Sequence, residues 1–143
     1  MDKKHLLKNP HIVSIGLLIA SFPFDCFACE HSSVNSFTVL LVGWMGMFKG
    51  GANSTWLANP LLAMSWLFFE FRYYFISAFT GFLASIIAFS FLFCQMVVID
   101  EGGAAYHISY VQIGYWLWLL SCITIFAGGI YNSFLFSKEK KNA

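Results

Sequence analysis

Five stretches of this chain, residues 12–22, 37–48, 56–71, 73–99 and 110–136, are apolar and carry one charged residue among them, Glu70. Polar or conformationally special residues separate them: Pro23, the segment Lys49-Gly50-Gly51-Ala52-Asn53-Ser54-Thr55, Arg72, and the turn from Asp100 to His107. The last two runs exceed the roughly 20 residues that a helix needs to cross a bilayer, and are expected to cross with some tilt. The first is shorter and stops at Pro23. Its basic start invites comparison with a cleaved leader, and Cys26-Phe27-Ala28-Cys29 with a lipoprotein cleavage site. Cys and Phe stand where such a site needs Leu and a small residue, so an uncleaved helix is expected.

Residues 36–72 form a broken segment. A helix over 37–48 would reach only about 18 Å, short of a hydrocarbon core of about 30 Å, and reads as re-entrant or interfacial. If both pieces crossed, Arg72 and the Lys-rich tail would lie outside the cell, against the tendency of basic residues to stay cytoplasmic. Asn59 and Pro60 suit the start of the second piece, as a cap and a first-turn proline. Trp56 and Trp66 suit its two interfacial ends. The pattern therefore predicts an all-α, polytopic transmembrane bundle forming a single integral membrane domain over residues 1–143. Its four crossings are expected near residues 6–24, 56–72, 73–99 and 109–136, with the re-entrant or interfacial helix over 37–48.

Composition agrees with lipid as the solvent. The chain is 59% hydrophobic, 20% aromatic and 10% charged, with 17 Phe and 5 Trp in 143 residues. A soluble domain of this size has too little interior to hide them. The net charge of +1 gives no cationic face for nucleic acid. Lys3, Lys4, Lys8, Arg72, Lys138, Lys140 and Lys141 fall at one set of boundaries and the acidic loop residues Asp25, Glu30, Asp100 and Glu101 at the other. That asymmetry places both termini in the cytoplasm.

Small residues recur at three to four positions along both long runs: Ser77, Gly81, Ser85 and Ala88, then Ser121, Thr124, Gly128 and Asn132. In lipid, helices associate through such residues because backbones must approach closely. They are read as packing faces within the chain, with a homo-oligomer or a membrane-protein partner as the alternative.

Three constellations bear on chemistry. Cys26 and Cys29 form a C-x-x-C pair able in principle to cycle between dithiol and disulfide. Membrane thiol oxidases need a second exchanging pair, and here only Cys94 and Cys122 remain, both expected inside helices. Glu30, His31 and His107 would add zinc-type ligands to the cysteines, but half of a usual site is missing, so no metal and no cofactor is expected. Lys49, Asn53 and Asn59 surround the break, where unwound backbone at membrane depth needs polar partners and suggests a transport path. Lys49 itself is better read as a residue snorkelling to a headgroup from the end of a short helix, which needs no pore.

The succession Gly43-Trp44-Met45-Gly46, Trp56-Leu57-Ala58-Asn59-Pro60-Leu61, Asp100-Glu101-Gly102-Gly103 and Gly114-Tyr115-Trp116-Leu117-Trp118 resembles a group of small, uncharacterised bacterial multi-pass membrane proteins. The likeness covers most of the chain after the first helix and does not include the cysteine pair. It implies a bacterial inner-membrane location and no particular activity. The sequence thus points to a noncatalytic membrane protein acting through a partner or by self-association. A small channel or transporter built around residues 49–55 is the second reading, and a thiol oxidoreductase using Cys26 and Cys29 the third.

Overall fold

A computed structural model describes residues 9–29, 32–99 and 104–142. Lys3, Lys4, Lys8, the start of the first expected helix, Glu30, His31 and the Asp100–Gly103 turn lie outside the described residues.

Helix α1 (Pro10–Ser21) opens on a proline, whose fixed φ suits a first turn, and ends before Pro23, which cannot continue it. Strands β1 (Asp25–Cys29) and β2 (Ser32–Asn35) follow. Asn35 then caps α2 (Ser36–Gly46), its side chain accepting from the Phe37 amide at 3.0 Å. A 3-10 turn (Met47–Lys49) continues α2, and Gly50 and Gly51, at φ 80° and 59°, reverse the chain into a second 3-10 stretch (Gly51–Leu57). These left-handed conformations suit glycine.

Helix α3 (Ala58–Glu70) grows directly out of that stretch. Asn59 therefore lies inside the helix and is not its cap, because the preceding helical turn already supplies carbonyls to the first amides. The α3 terminus closes by a Schellman motif: the Tyr73 amide donates to Phe68 at 2.9 Å, and the Arg72 amide to Phe69 at 3.0 Å. Arg72 holds the left-handed position, φ 63°, usually given to glycine.

Helix α4 (Tyr74–Ser90) and a 3-10 turn (Phe91–Phe93) lead to β3 (Met96–Val98), then β4 (Ala105–Val111) and α5 (Ile113–Asn142). The expected helices over 73–99 and 109–136 are corrected here. The run to Ile99 ends as a strand, and α5 starts after one. Apolar runs rich in Val and Ile carry no periodicity that separates strand from buried helix. The expected all-α class is corrected with them, since a four-stranded antiparallel sheet, ordered β2-β1-β4-β3, joins a mostly helical fold. Ala28 pairs with both Ser33 and Tyr110, and Val97 with Tyr106.

Among the described residues, two helical segments are long and apolar enough to cross a membrane, Tyr74–Phe93 and Ile113–Lys138. The four expected crossings are not supported. At 12 and 13 residues, α1 and α3 reach about 18 and 20 Å at 1.5 Å per residue.

The helices pack through small groups. Ser14 and Ser121 exchange hydroxyl-to-carbonyl bonds at 2.8 Å each, joining α1 to α5. Ser65 and Ser77 do the same for α3 and α4, at 2.7 and 2.8 Å. Trp66, expected at an interface, turns inward and donates to the Ser14 hydroxyl at 2.9 Å. At the end far from the sheet, Pro10 crosses α5 at Gly128, Ala78 meets Gly129, and His11 reaches Glu70 at 3.4 Å. Of the expected packing residues, Ser77, Gly81 and Gly128 sit at contacts between helices of the same chain. Ser85 and Asn132 donate to carbonyls of their own helices, Gly81 and Gly128, at 2.8 and 2.9 Å.

Candidate functional site

The reversal at Gly50-Gly51 folds α2 against the following 3-10 stretch and makes an arm at the sheet end of the bundle. Glycine allows the approach. A Cβ on Gly43 would come to 2.5 Å from the Trp56 ring, and one on Gly46 to 2.6 Å from the Asn53 amide nitrogen. The Trp56 indole N–H donates back to the Leu40 carbonyl at 3.0 Å, and the Ser54 hydroxyl to Met47 at 3.1 Å.

Asn53 pins this arm to the sheet. Its amide donates to the Val98 carbonyl at 2.8 Å and accepts from the Val98 amide at 3.0 Å, so a side chain completes the exposed edge of β3. An edge strand left open would offer unpaired backbone groups to other chains.

Between the arm, β1, β3 and the adjoining ends of α4 and α5 lies a cavity of about 390 Å³. Val39, Val42, Phe27, Phe91, Tyr115 and Trp118 make much of its apolar wall. Tyr115 is fully buried, donates its hydroxyl to the Ala88 carbonyl at 3.0 Å, and packs its ring at 5.5 Å from Phe91 and 5.9 Å from Trp118. The α5 start and the α4 end are thereby locked together as a rigid back wall. Size and apolar lining match a small-molecule site.

Lys49, Asn53 and Asn59, singled out separately along the sequence, all line this one cavity. Their roles differ. Lys49 is exposed, and Asn53 spends both ends of its amide on Val98. The Asn59 Oδ1 accepts from the Trp118 indole at 2.8 Å. Because an indole N–H only donates, that bond fixes the amide orientation and leaves the Asn59 N–H groups turned away from Trp118. Ser36 is a lining residue that sequence reasoning missed, as it did Tyr115 and Trp118. The Ser36 hydroxyl is buried beside the Cys26 thiol and has no partner at good hydrogen-bond geometry.

The cysteine pair occupies a different setting from a redox motif. Cys26 and Cys29 are both buried on β1 and are not joined. An extended strand separates residues three apart by roughly 10 Å, whereas a disulfide needs Cα atoms within about 7 Å. Burial pushes the Cys26 thiol from its ordinary 9.0 up to about 12, the adjacent Ser36 hydroxyl pulling it the other way. So little thiolate forms near neutrality that Cys26 is a poor nucleophile. Cys94 is partly exposed beyond α4, and Cys122 is buried within α5. His107 stands in β4 opposite Met96. No group of three His, Cys, Asp or Glu able to hold a metal exists among the described residues.

The raised Cys26 value has a measurable consequence. Between about pH 9 and pH 12 the unfolded chain loses the Cys26 proton while the folded chain keeps it, so stability falls as pH rises through that window. Unfolding midpoints of Cys26→Ala are expected to fall less steeply over the same range than those of the unaltered chain. Equal slopes would show that the thiol ionises freely in the fold.

Comparison with known protein families, curated proteins and solved structures gives no match for this chain. The cavity and the bonds around it therefore carry the functional argument.

Proposed function

We propose that the chain is a noncatalytic multi-pass protein of the bacterial inner membrane, both termini cytoplasmic, that works by binding a small apolar or amphiphilic molecule in the arm cavity. Two long apolar segments support membrane residence, and so do the apolar residues left on outer surfaces, among them Phe75 at 75%, Phe79 at 56% and Phe134 at 73% exposed. On a soluble protein such faces would be an aggregation hazard. Basic residues in the last turns of α5 and at the α3–α4 turn favour a cytoplasmic position for that end of the bundle. α1 and α3 then lie along the two long helices as shorter partners, and the sheet and arm occupy the outer side.

The observation that carries the binding reading is the cavity itself, where otherwise distant polar residues converge within an apolar wall. Transport is the second reading, favoured by the presence of Lys49, Asn53 and Asn59 in one space. Against it, Asn53 and the Asn59 oxygen are committed to structural bonds. Thiol oxidation has less support, given two separated and buried cysteines. Self-association through the small-residue faces is also less favoured, because Ser77, Gly81 and Gly128 already serve contacts inside one chain.

A volume test follows. Val39 is half-buried on the cavity side of α2, so Val39→Trp is expected to fill the space without displacing a core residue. Protein purified in mild detergent should carry a small molecule visible by native mass spectrometry, and Val39→Trp should lose it while remaining folded. If the unaltered protein is empty, and both forms respond alike to added amphiphiles, the binding reading fails.

A further inference from the structure

We infer that the cavity takes a single hydrocarbon chain ending in an uncharged, oxygen-bearing head, with the Ser36 hydroxyl and the Asn59 amide donating to that head. This rests on the binding reading above and names the ligand class it leaves open.

The two donors are brought together by α5. Ser36 lies against Gly114, close enough that a Cβ there would fall on its hydroxyl, while Asn59 is bonded to Trp118. Gly114 and Trp118 are four residues apart, on the same helix face and separated by about 6 Å along the axis. Two residues with unused donor groups therefore border the cavity at adjacent turns of α5.

Both donors are unspent for a reason visible in the fold. The Ser36 residue is 8% exposed, its hydroxyl has no partner at good hydrogen-bond geometry, and it borders the cavity. A buried hydroxyl left without a partner is unfavourable, and native proteins seldom tolerate one unless something else fills the position. The Asn59 N–H groups are directed by the Trp118 bond, which occupies the oxygen. A ligand carbonyl, ester or hydroxyl oxygen satisfies both.

Charge argues for a neutral head. The polar residues of the inner wall are Ser, Thr, Asn and Cys, and Lys49 is exposed on the arm. Burying a carboxylate or phosphate among neutral groups costs more than they return. The remainder of the ligand is set by the wall: Val39, Val42 and Met45 offer an apolar track along α2. The opposite side of α2 is itself apolar and exposed, with Leu41 at 55% and Trp44 at 51%. Such a helix lies in the membrane interface, so a chain-bearing ligand has a route from the lipid phase.

The test uses full-length protein in nanodiscs, titrated separately with monododecanoyl glycerol and with dodecanoic acid, with bound ligand counted by native mass spectrometry. One monododecanoyl glycerol is expected per chain, bound at least tenfold tighter than the acid. Ser36→Ala removes a hydroxyl that has no well-formed hydrogen bond in the fold, so stability should change little while affinity falls roughly three- to tenfold. Asn59→Asp keeps an acceptor for Trp118 but loses the donor, and should weaken the glyceride by a similar factor. Equal affinity for the acid, or undiminished binding by both variants, overturns the neutral-head assignment. If the acid binds and Val39→Trp abolishes it, the cavity remains a binding site and only the head assignment fails. If neither probe binds and Val39→Trp changes nothing, both readings fail.

Discussion

Tyr115→Ala is expected to lower unfolding stability by about 3–5 kcal/mol, the cost of deleting a fully buried aromatic ring whose surroundings cannot collapse into the gap. The ring is held on three sides, by Phe91, Trp116 and Trp118, with centroids 5.3 to 5.9 Å away. Its hydroxyl also ties α5 to the α4 terminus through Ala88. Tyr115→Phe separates these contributions. It retains the ring and should cost only about 1 kcal/mol, the usual net value of one hydrogen bond. Reversible unfolding of the three proteins in a common detergent measures both differences. A loss under about 1 kcal/mol for the alanine variant would mean that the back wall of the cavity is looser than described.

The second large effect belongs to Gly114. A Cβ at this position would fall on the Ser36 hydroxyl and come to 2.7 Å from the Asp25 carbonyl oxygen and 2.9 Å from that of Phe24. Two of these are backbone atoms and cannot swing aside. Gly114→Ala is therefore expected to cost about 1–3 kcal/mol or more through overpacking, despite alanine's better helix propensity. It should also displace Ser36 and reduce ligand affinity together with stability. Gly16 provides the control, since nothing lies within 4 Å of a Cβ built there and it sits within α1. Gly16→Ala should be neutral or stabilising by up to about 1 kcal/mol. Equal effects at the two positions would remove the steric explanation for Gly114.

The contrast between these glycines shows why the motif pieces were hard to interpret as sequence. Gly43, Gly46, Trp56, Asn59, Gly114, Tyr115 and Trp118 occur in the pieces that carry the resemblance, yet nothing in their local spacing says that they meet. Gly43 receives Trp56, Gly46 receives Asn53, and Asn59 receives Trp118 across 59 positions of chain. Such partners become neighbours only when the arm folds back and α5 returns beside α3. Ser36 was illegible for the same reason. In sequence it is an ordinary serine after a capping asparagine, and its isolation depends on what Gly114 and β1 place around it.

Apolar run length and the boundaries marked by Pro, Gly and charge were enough to place the five helices found among the described residues and the break at residues 49–55, but they gave four crossings where two helical segments are long and apolar enough to cross a membrane. Those features are local, governed by the chain's own periodicity and by backbone limits at Pro23 and Gly50-Gly51. Tertiary structure alone decided that residues 96–98 and 105–111 are strands, because an apolar run rich in Val and Ile suits either conformation until a pairing partner arrives. It also decided that the cysteines lie apart on one strand, and that Lys49, Asn53, Asn59 and Ser36 border a common space. Proximity across dozens of residues is set by packing and strand register, which no local pattern encodes.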